Sequence, residues 1–309
     1  MKIWIVIFIL LMLVGCTHSE IEEVSFIEFV EFIEFVDDLG HIVKVPVNPQ
    51  RVIVASGSLA RVWQLAGGIL VGTTQDAFNN GIAEGNIVVN IGSLHDPNLE
   101  QILALEPDLV ILSANLAGNV RLYEPLSTLG ITVVYFAVDS FEDYLATLQH
   151  CANIIGRQDL AERYGTTLRL RIDKLRGQAK NETSPTILLL RASSTGIEAR
   201  NSNTMAGNML KNMQVINIAD SETSLLDNLS MEVIIQEDPD FIFAVTMGTS
   251  EEDALQTLED ILFSNPAWAS LSAVQNGRYI MLPRDLFHLQ PNDRWAEAYE
   301  MLWEILYAN

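Results

Sequence analysis

Apolar and polar positions divide the chain into an opening block and a long alternating remainder. Ile3 to Val14 is an unbroken apolar run, and no other segment is long and apolar enough to span a bilayer. From Arg51 onward, short apolar runs alternate with stretches of helical spacing. Residues 52–55, 70–72, 88–91, 109–112 and 132–136 read as strands, and 59–67, 99–105, 120–129 and 141–155 as helices. That rhythm predicts parallel strands with helices on both faces. One long helix is predicted over 158–180, with Leu160, Tyr164, Leu168, Ile172 and Leu175 as its apolar stripe. The break from Asn181 to Pro185 ends it. A second series then covers 186–190, 205–211, 215–218, 231–236, 241–245, 254–262 and 279–282, with a last helix near 294–307.

The two series share a local pattern. Asn98-Leu99-Glu100-Gln101-Ile102, followed by Pro107-Asp108-Leu109-Val110, aligns without gaps on Ser230-Met231-Glu232-Val233-Ile234 and Pro239-Asp240-Phe241-Ile242, 132 positions later. Each copy is a capped helix start, a helix, a Pro-Asp turn and a buried strand. The expected fold is therefore α/β: two similar lobes with parallel-rich sheets flanked by helices, joined by one long connector helix. The boundaries read as a leader over 1–15, a tether over 16–36, lobes over 37–157 and 183–309, and the connector over 158–182.

The opening block has the length of a signal-peptide core rather than of a spanning helix, with Lys2 in front of it. It closes on Leu13-Val14-Gly15-Cys16, which resembles the bacterial lipobox. The resemblance implies cleavage before Cys16 and acylation of its thiol, anchoring an exported chain at the outer face of the plasma membrane. The remaining cysteine, Cys151, then has no intrachain partner, and its apolar helical surroundings predict a buried thiol. Residues 21–36 are rich in Glu, Phe, Ile and Val and fit a tether, an edge strand or an amphipathic helix, the last few entering a strand.

Charge narrows the function. With 18 Lys+Arg against 40 Asp+Glu, the formal net charge is −22, which disfavours nucleic acid and any basic patch on anionic lipid. The five histidines are dispersed, so no converging metal site is expected. Ser58 lacks the glycine spacing of a nucleophile elbow, and no catalytic residues are assigned.

Several segments, in order and spacing, resemble the substrate-binding lipoproteins of ABC importers for iron–siderophore, haem and cobalamin. They are Asp37-Asp38-Leu39-Gly40 with Val45-Pro46, Pro49-Gln50-Arg51-Val52, Asn98-Leu99-Glu100, Glu106-Pro107-Asp108-Leu109-Val110, Asn265-Pro266-Ala267-Trp268 and Val274-Gln275-Asn276-Gly277-Arg278. The resemblance implies a cleft between two lobes and no catalytic activity. It also implies a permease dimer with a cytoplasmic ATPase as partner, met through Glu100 and Glu232. The cargo would be a metal chelate, with haem or cobalamin as alternatives, and no resident cofactor or metal is expected. A monomer is expected as well.

Ligand contacts are sought at the ends of strands. Arg191 ends an apolar run and precedes a polar stretch, 192–196, expected to be a loop open to the cleft. Arg284 follows another strand, with Phe287 and His288 just beyond. Arginine can fork onto a carboxylate or catecholate, and an aromatic ring can stack on a flat ligand. Surface or interlobe ion pairs are the competing role for both arginines, and Arg294 is the weaker candidate. In the first lobe the candidates are Ser58, His95 and Trp63, although a tryptophan on a helix is more often core. His95 and His288 meeting across the cleft would suit haem iron. A lipid-anchored α/β hydrolase and a sensor or adhesion lipoprotein are the readings from other classes.

Overall fold

The computed structural model describes residues 31–84, 87–248 and 250–308. Cys16 and the leader lie outside these residues. The chain enters through an antiparallel hairpin of β1 (Phe32–Val36) and β2 (Ile42–Pro46). The end of the expected tether is thus already paired sheet. The turn is built on Asp37, whose buried carboxylate accepts from the backbone N–H of Leu39, His41 and Tyr135.

The first lobe is a parallel sheet of β3 (Val52–Val54), β4 (Gly72–Thr73), β5 (Val89–Asn90), β6 (Leu109–Ser113) and β7 (Thr132–Phe136), in the order β5-β4-β3-β6-β7. The second contains β8 (Thr186–Ser193), β9 (Gly196–Arg200), β10 (Ile216–Asn217), β11 (Phe241–Thr246) and β12 (Tyr279–Met281). Its parallel strands run β10-β8-β11-β12, the same winding, and β9 folds back antiparallel on β8.

The sequence repeat is structural down to single atoms. Asn98 and Ser230 both cap their helices through side-chain oxygens. Glu106 and Asp238, each just before the proline, both take the left-handed conformation, at φ +46° and +36°. Asp108 then accepts from the N–H groups of Gln50 and Arg51 at 2.7 and 3.0 Å, at the start of β3. Asp240 accepts from the N–H and hydroxyl of Thr186 at 2.8 and 2.9 Å, at the start of β8. In each lobe the aspartate of one strand anchors the entry of its parallel neighbour.

Between the lobes runs a continuous helix over 158–179 that widens to a π-helical turn at Glu162–Thr166. A Cβ on Gly165 would lie 3.2 Å from Leu145, so the missing side chain lets this turn close on the helix Phe141–Ile155. Leu168 and Ile172 of the predicted stripe are buried, and Leu160, Tyr164 and Leu175 are half-buried. One apolar core passes through both lobes and the connector: Trp63, Phe136 and Phe141, then Ile172, then Leu189, Phe243 and Trp295. Alternate residues Leu188 and Leu190 serve a second cluster on the far face, as a sheet covered on both sides requires. Arg176 ties the connector to Glu142 at 2.8 Å and to the Tyr299 hydroxyl at 2.8 Å on the last helix, Trp295–Tyr307.

Two sequence expectations change locally. The helix expected over 120–129 is two short ones, Ala117–Val120 and Tyr123–Thr128. The polar stretch 192–196 is the tip of the β8–β9 hairpin and not an open loop, because β9 supplies backbone partners that the expected loop lacked. Cys151 is buried as expected, and burial pushes its thiol up to about 12. Among the described residues, no helix is long and apolar enough to cross a membrane.

Candidate functional site

Parallel sheets of this winding open ligand crevices at the carboxyl ends of their strands, beside the point where strand order reverses. In the second lobe that point lies between β8 and β11. Along β8, Ile187, Leu189 and Arg191 share a face; the first two enter the core and the third reaches a cavity of about 300 Å³. Arg191, Arg200, Phe287 and His288 line the cavity from the second lobe, and Asp139, just past β7, lines it from the first. The helix Met205–Asn212 starts at its wall. Thr204 caps that helix by accepting from Gly207 N–H, and the first-turn N–H groups of Met205 and Ala206 have no intrahelical partner. Gly207 is obligatory on steric grounds, since a Cβ there would come within 2.1 Å of the Asn201 carbonyl oxygen.

Arg191 faces Glu198 across the hairpin ladder and donates to its carboxylate at 2.7 Å; Arg200 reaches the same oxygen at 3.3 Å. Arg191 and the more distant Arg200 hold the Glu198 carboxyl below its ordinary range despite slight burial. Burial, reinforced by the charge of Arg191, lowers the Arg200 guanidinium from its ordinary value. Arg284 opens the short helix that ends at Phe287, and His288 N–H donates to its carbonyl oxygen at 2.9 Å. Its side chain lines an adjoining cavity of about 430 Å³ with Asn80 of the first lobe, Glu251 and Asp285. The Nε atoms of Arg191, Arg200 and Arg284 are all buried without a hydrogen-bond partner. His288 feels burial first, then the charges of Arg284 and Arg191, and is pushed down to about 4. It is therefore a neutral imidazole at neutral pH. In chemical terms this wall offers guanidinium forks, free backbone N–H groups and a neutral nitrogen, a set suited to an anion.

Of the residues singled out in the sequence, the structure brings Arg191, Phe287 and His288 to one cavity and Arg284 to its neighbour. Trp63 leaves the ligand set: its ring is fully enclosed and its indole N–H donates to the Ile69 carbonyl at 3.0 Å. Ser58 lies in the first turn of the helix Gly57–Leu65, its hydroxyl 3.1 Å from that of Ser56, and lines neither cavity. His95 is exposed on its loop and likewise lines neither cavity, so it does not join His288 there as the minor haem option required. Arg294, the weaker candidate because it was expected to begin the last helix, stands just before that helix and bonds Glu297 and Asp285. Arg200 was missed. Its signal was present as an arginine two residues beyond an acid, but only the hairpin places it beside Arg191. Glu100 and Glu232 are both exposed in the first turns of their equivalent helices. Among the described residues, no three His, Cys, Asp or Glu side chains form a metal-binding group.

Two links cross from one lobe to the other. Arg61 pairs with Asp293 at 3.0 Å, and Gln290 donates its amide to the Val138 carbonyl.

Comparison with known proteins bears on this geometry. The chain is 23% identical over 242 residues to the Fe(3+)-citrate-binding protein YfmC of Bacillus subtilis (strain 168), covering 77% of this chain and 74% of the relative. The periplasmic catecholate-siderophore binding protein VctP of Vibrio cholerae superposes with a TM-score of 0.70 at 17% identity, over 90% of this chain and all of VctP (100%). S. aureus IsdE, in a structure complexed with heme, gives 0.66 at 16% identity, over 83% of this chain and 98% of IsdE. The periplasmic binding protein family model matches residues 52–286, from the first parallel strand to the helix carrying Arg284. Two lobes of equal winding, a helical connector and an interlobe cavity agree with that match, and the chain belongs to the periplasmic binding protein family.

Proposed function

We propose that this substrate-binding protein captures an anionic ferric chelate of the siderophore or citrate class in the interlobe cleft and delivers it to an ABC permease. One observation carries the reading. In a chain of net charge −22, Arg191 and Arg200, each with an unused buried donor, line one cleft cavity with a neutral histidine, while Arg284, with a third such donor, acts on that histidine from the adjoining cavity. Anionic oxygens of a carboxylate or catecholate chelate would meet these donors directly. The named binding of ferric citrate by YfmC supports the same class.

The test is a binding panel with the chain from residue 17, which omits Cys16 and keeps β1. Buried tryptophans such as Trp63, Trp268 and Trp295 report quenching by coloured ligands through energy transfer. Ferric citrate and ferric catecholates are expected to saturate the signal, and Arg191→Gln or Arg200→Gln to weaken them by about tenfold or more. Cobalamin is expected to be silent. Met205 and His288 line the same cavity, and both thioether and imidazole can ligate haem iron, which favours haem as the second reading. Saturable binding of haem with a shifted Soret band, and of no ferric chelate, would select it.

Export and anchoring through Cys16 belong to the same proposal. Labelled fatty acid should enter the native chain and be absent from Cys16→Ala; equal labelling of both would remove the anchor.

A further inference from the structure

The hairpin that presents the cavity arginines also carries their counter-ion. Arg191 on β8 stands directly opposite Glu198 on β9, and Arg200 lies two residues further along β9, on the same face as Glu198. A single oxygen serves both: Glu198 Oε2 accepts from Arg191 at 2.7 Å and from Arg200 at 3.3 Å. The two arginine side chains line the cavity with 26% and 32% exposure, whereas Glu198 is 55% exposed and outside the lining. The carboxylate is therefore the more solvent-exposed partner, and the arginines are the groups that face the cavity. Each guanidinium keeps donors that Glu198 does not use, Nε among them. An anion entering the cavity and the Glu198 carboxylate draw on the same two charges.

We propose that Glu198 is a resident counter-ion that sets how much negative charge a ligand must bring. It keeps two like-charged arginines side by side in the unliganded protein and subtracts part of their attraction from any arriving anion. The inference rests on the reading of the cavity as a site for anionic chelates. Its consequence is a damped response to ligand charge. Every chelate meets an arginine pair already half neutralised, so each added negative charge gains less affinity than the bare pair would give, and more charge is needed to reach a given affinity. Repulsion between the ligand and Glu198 grows with ligand charge, so removing the carboxylate should help the most highly charged ligand most.

Titration calorimetry with ferric citrate and with singly charged ferric EDTA tests this on the chain from residue 17. Glu198→Gln should bind ferric citrate about tenfold more tightly than the parent and ferric EDTA about threefold more tightly. Glu198→Asp, with its carboxylate drawn back by one methylene, should fall between parent and Glu198→Gln. A gain of affinity separates this role from a purely structural one, whose loss could only weaken binding. Equal or weaker binding by a folded Glu198→Gln overturns the inference while leaving the anionic site standing. Should that variant not fold, Glu198→Asp binding no tighter than the parent does the same. Failure of parent and variants alike to bind either chelate overturns both the inference and the reading beneath it.

Discussion

At His288 burial and two neighbouring positive charges act in one direction, and the consequence reaches beyond the ligand. The unfolded chain takes up this proton near the ordinary histidine value of about 6.5, the folded chain only near 4. Between those limits the unfolded state holds more protons, so folding weakens as pH falls through the window and is unaffected by this group above it. The site is partly solvated, which reduces the effect to about 1–2 kcal/mol. Urea midpoints measured from pH 7 to pH 4 should therefore slope less steeply in His288→Asn than in the parent chain. Parallel slopes would place the imidazole in open water. The same neutral nitrogen adds no positive charge to the arginine wall at neutral pH, so ligand affinity there should not report a histidine titration.

Single elements show what the amino-acid pattern could and could not disclose. The paired Pro-Asp turns predict a measurable symmetry: Asp108→Ala and Asp240→Ala each remove backbone anchors at the entry of a parallel strand. Each should cost about 1–2 kcal/mol of stability, and the two losses should add, because the aspartates sit in different lobes without a shared partner. A double variant far from the sum would show that the two turns are energetically coupled, or that the lobes do not unfold in a single transition. The repeat, the parallel strands and the connector were legible because strand and helix periods are local properties of sequence. Arg191 was legible too, as a charge ending an apolar run. The rest depended on pairing at a distance. Arg200 joins the site only when β9 folds back on β8, and nothing in Glu198-Ala199-Arg200 announces a strand. Trp63 misled for the converse reason: helical spacing shows that a residue faces inward, but not whether a core or a cleft awaits it. His95 misled because a loop at a strand end need not turn its side chain into the crevice.

Over the whole molecule, similarity of the lobes gives meaning to two exposed acids. Glu100 and Glu232 occupy the same position in equivalent helices, in first turns where a carboxylate is favoured by the helix dipole by about 0.3–1 kcal/mol. That modest local benefit would be met by any acid in the turn, and neither side chain lines the arginine cavity. We infer that these two form the docking pair, one acid per lobe for each of two subunits of the permease proposed as partner. Glu100→Arg and Glu232→Arg should each lower uptake by cells strongly, and together abolish it, while calorimetric affinity for ferric chelate stays within about twofold of the parent. Lost ligand affinity would return the acids to the cleft, and unimpaired uptake would leave only their helix-end role. The connector and shared core sharpen this expectation. Because the lobes are joined by apolar packing and by the Arg61–Asp293 and Gln290–Val138 links, the spacing between the two acids should change little on ligand binding. Distance measurements between spin labels placed beside Glu100 and Glu232 should shift by only a few ångströms between free and chelate-bound protein. A hinge-like change would mean that the core yields on capture, and that the permease reads lobe closure as well as charge.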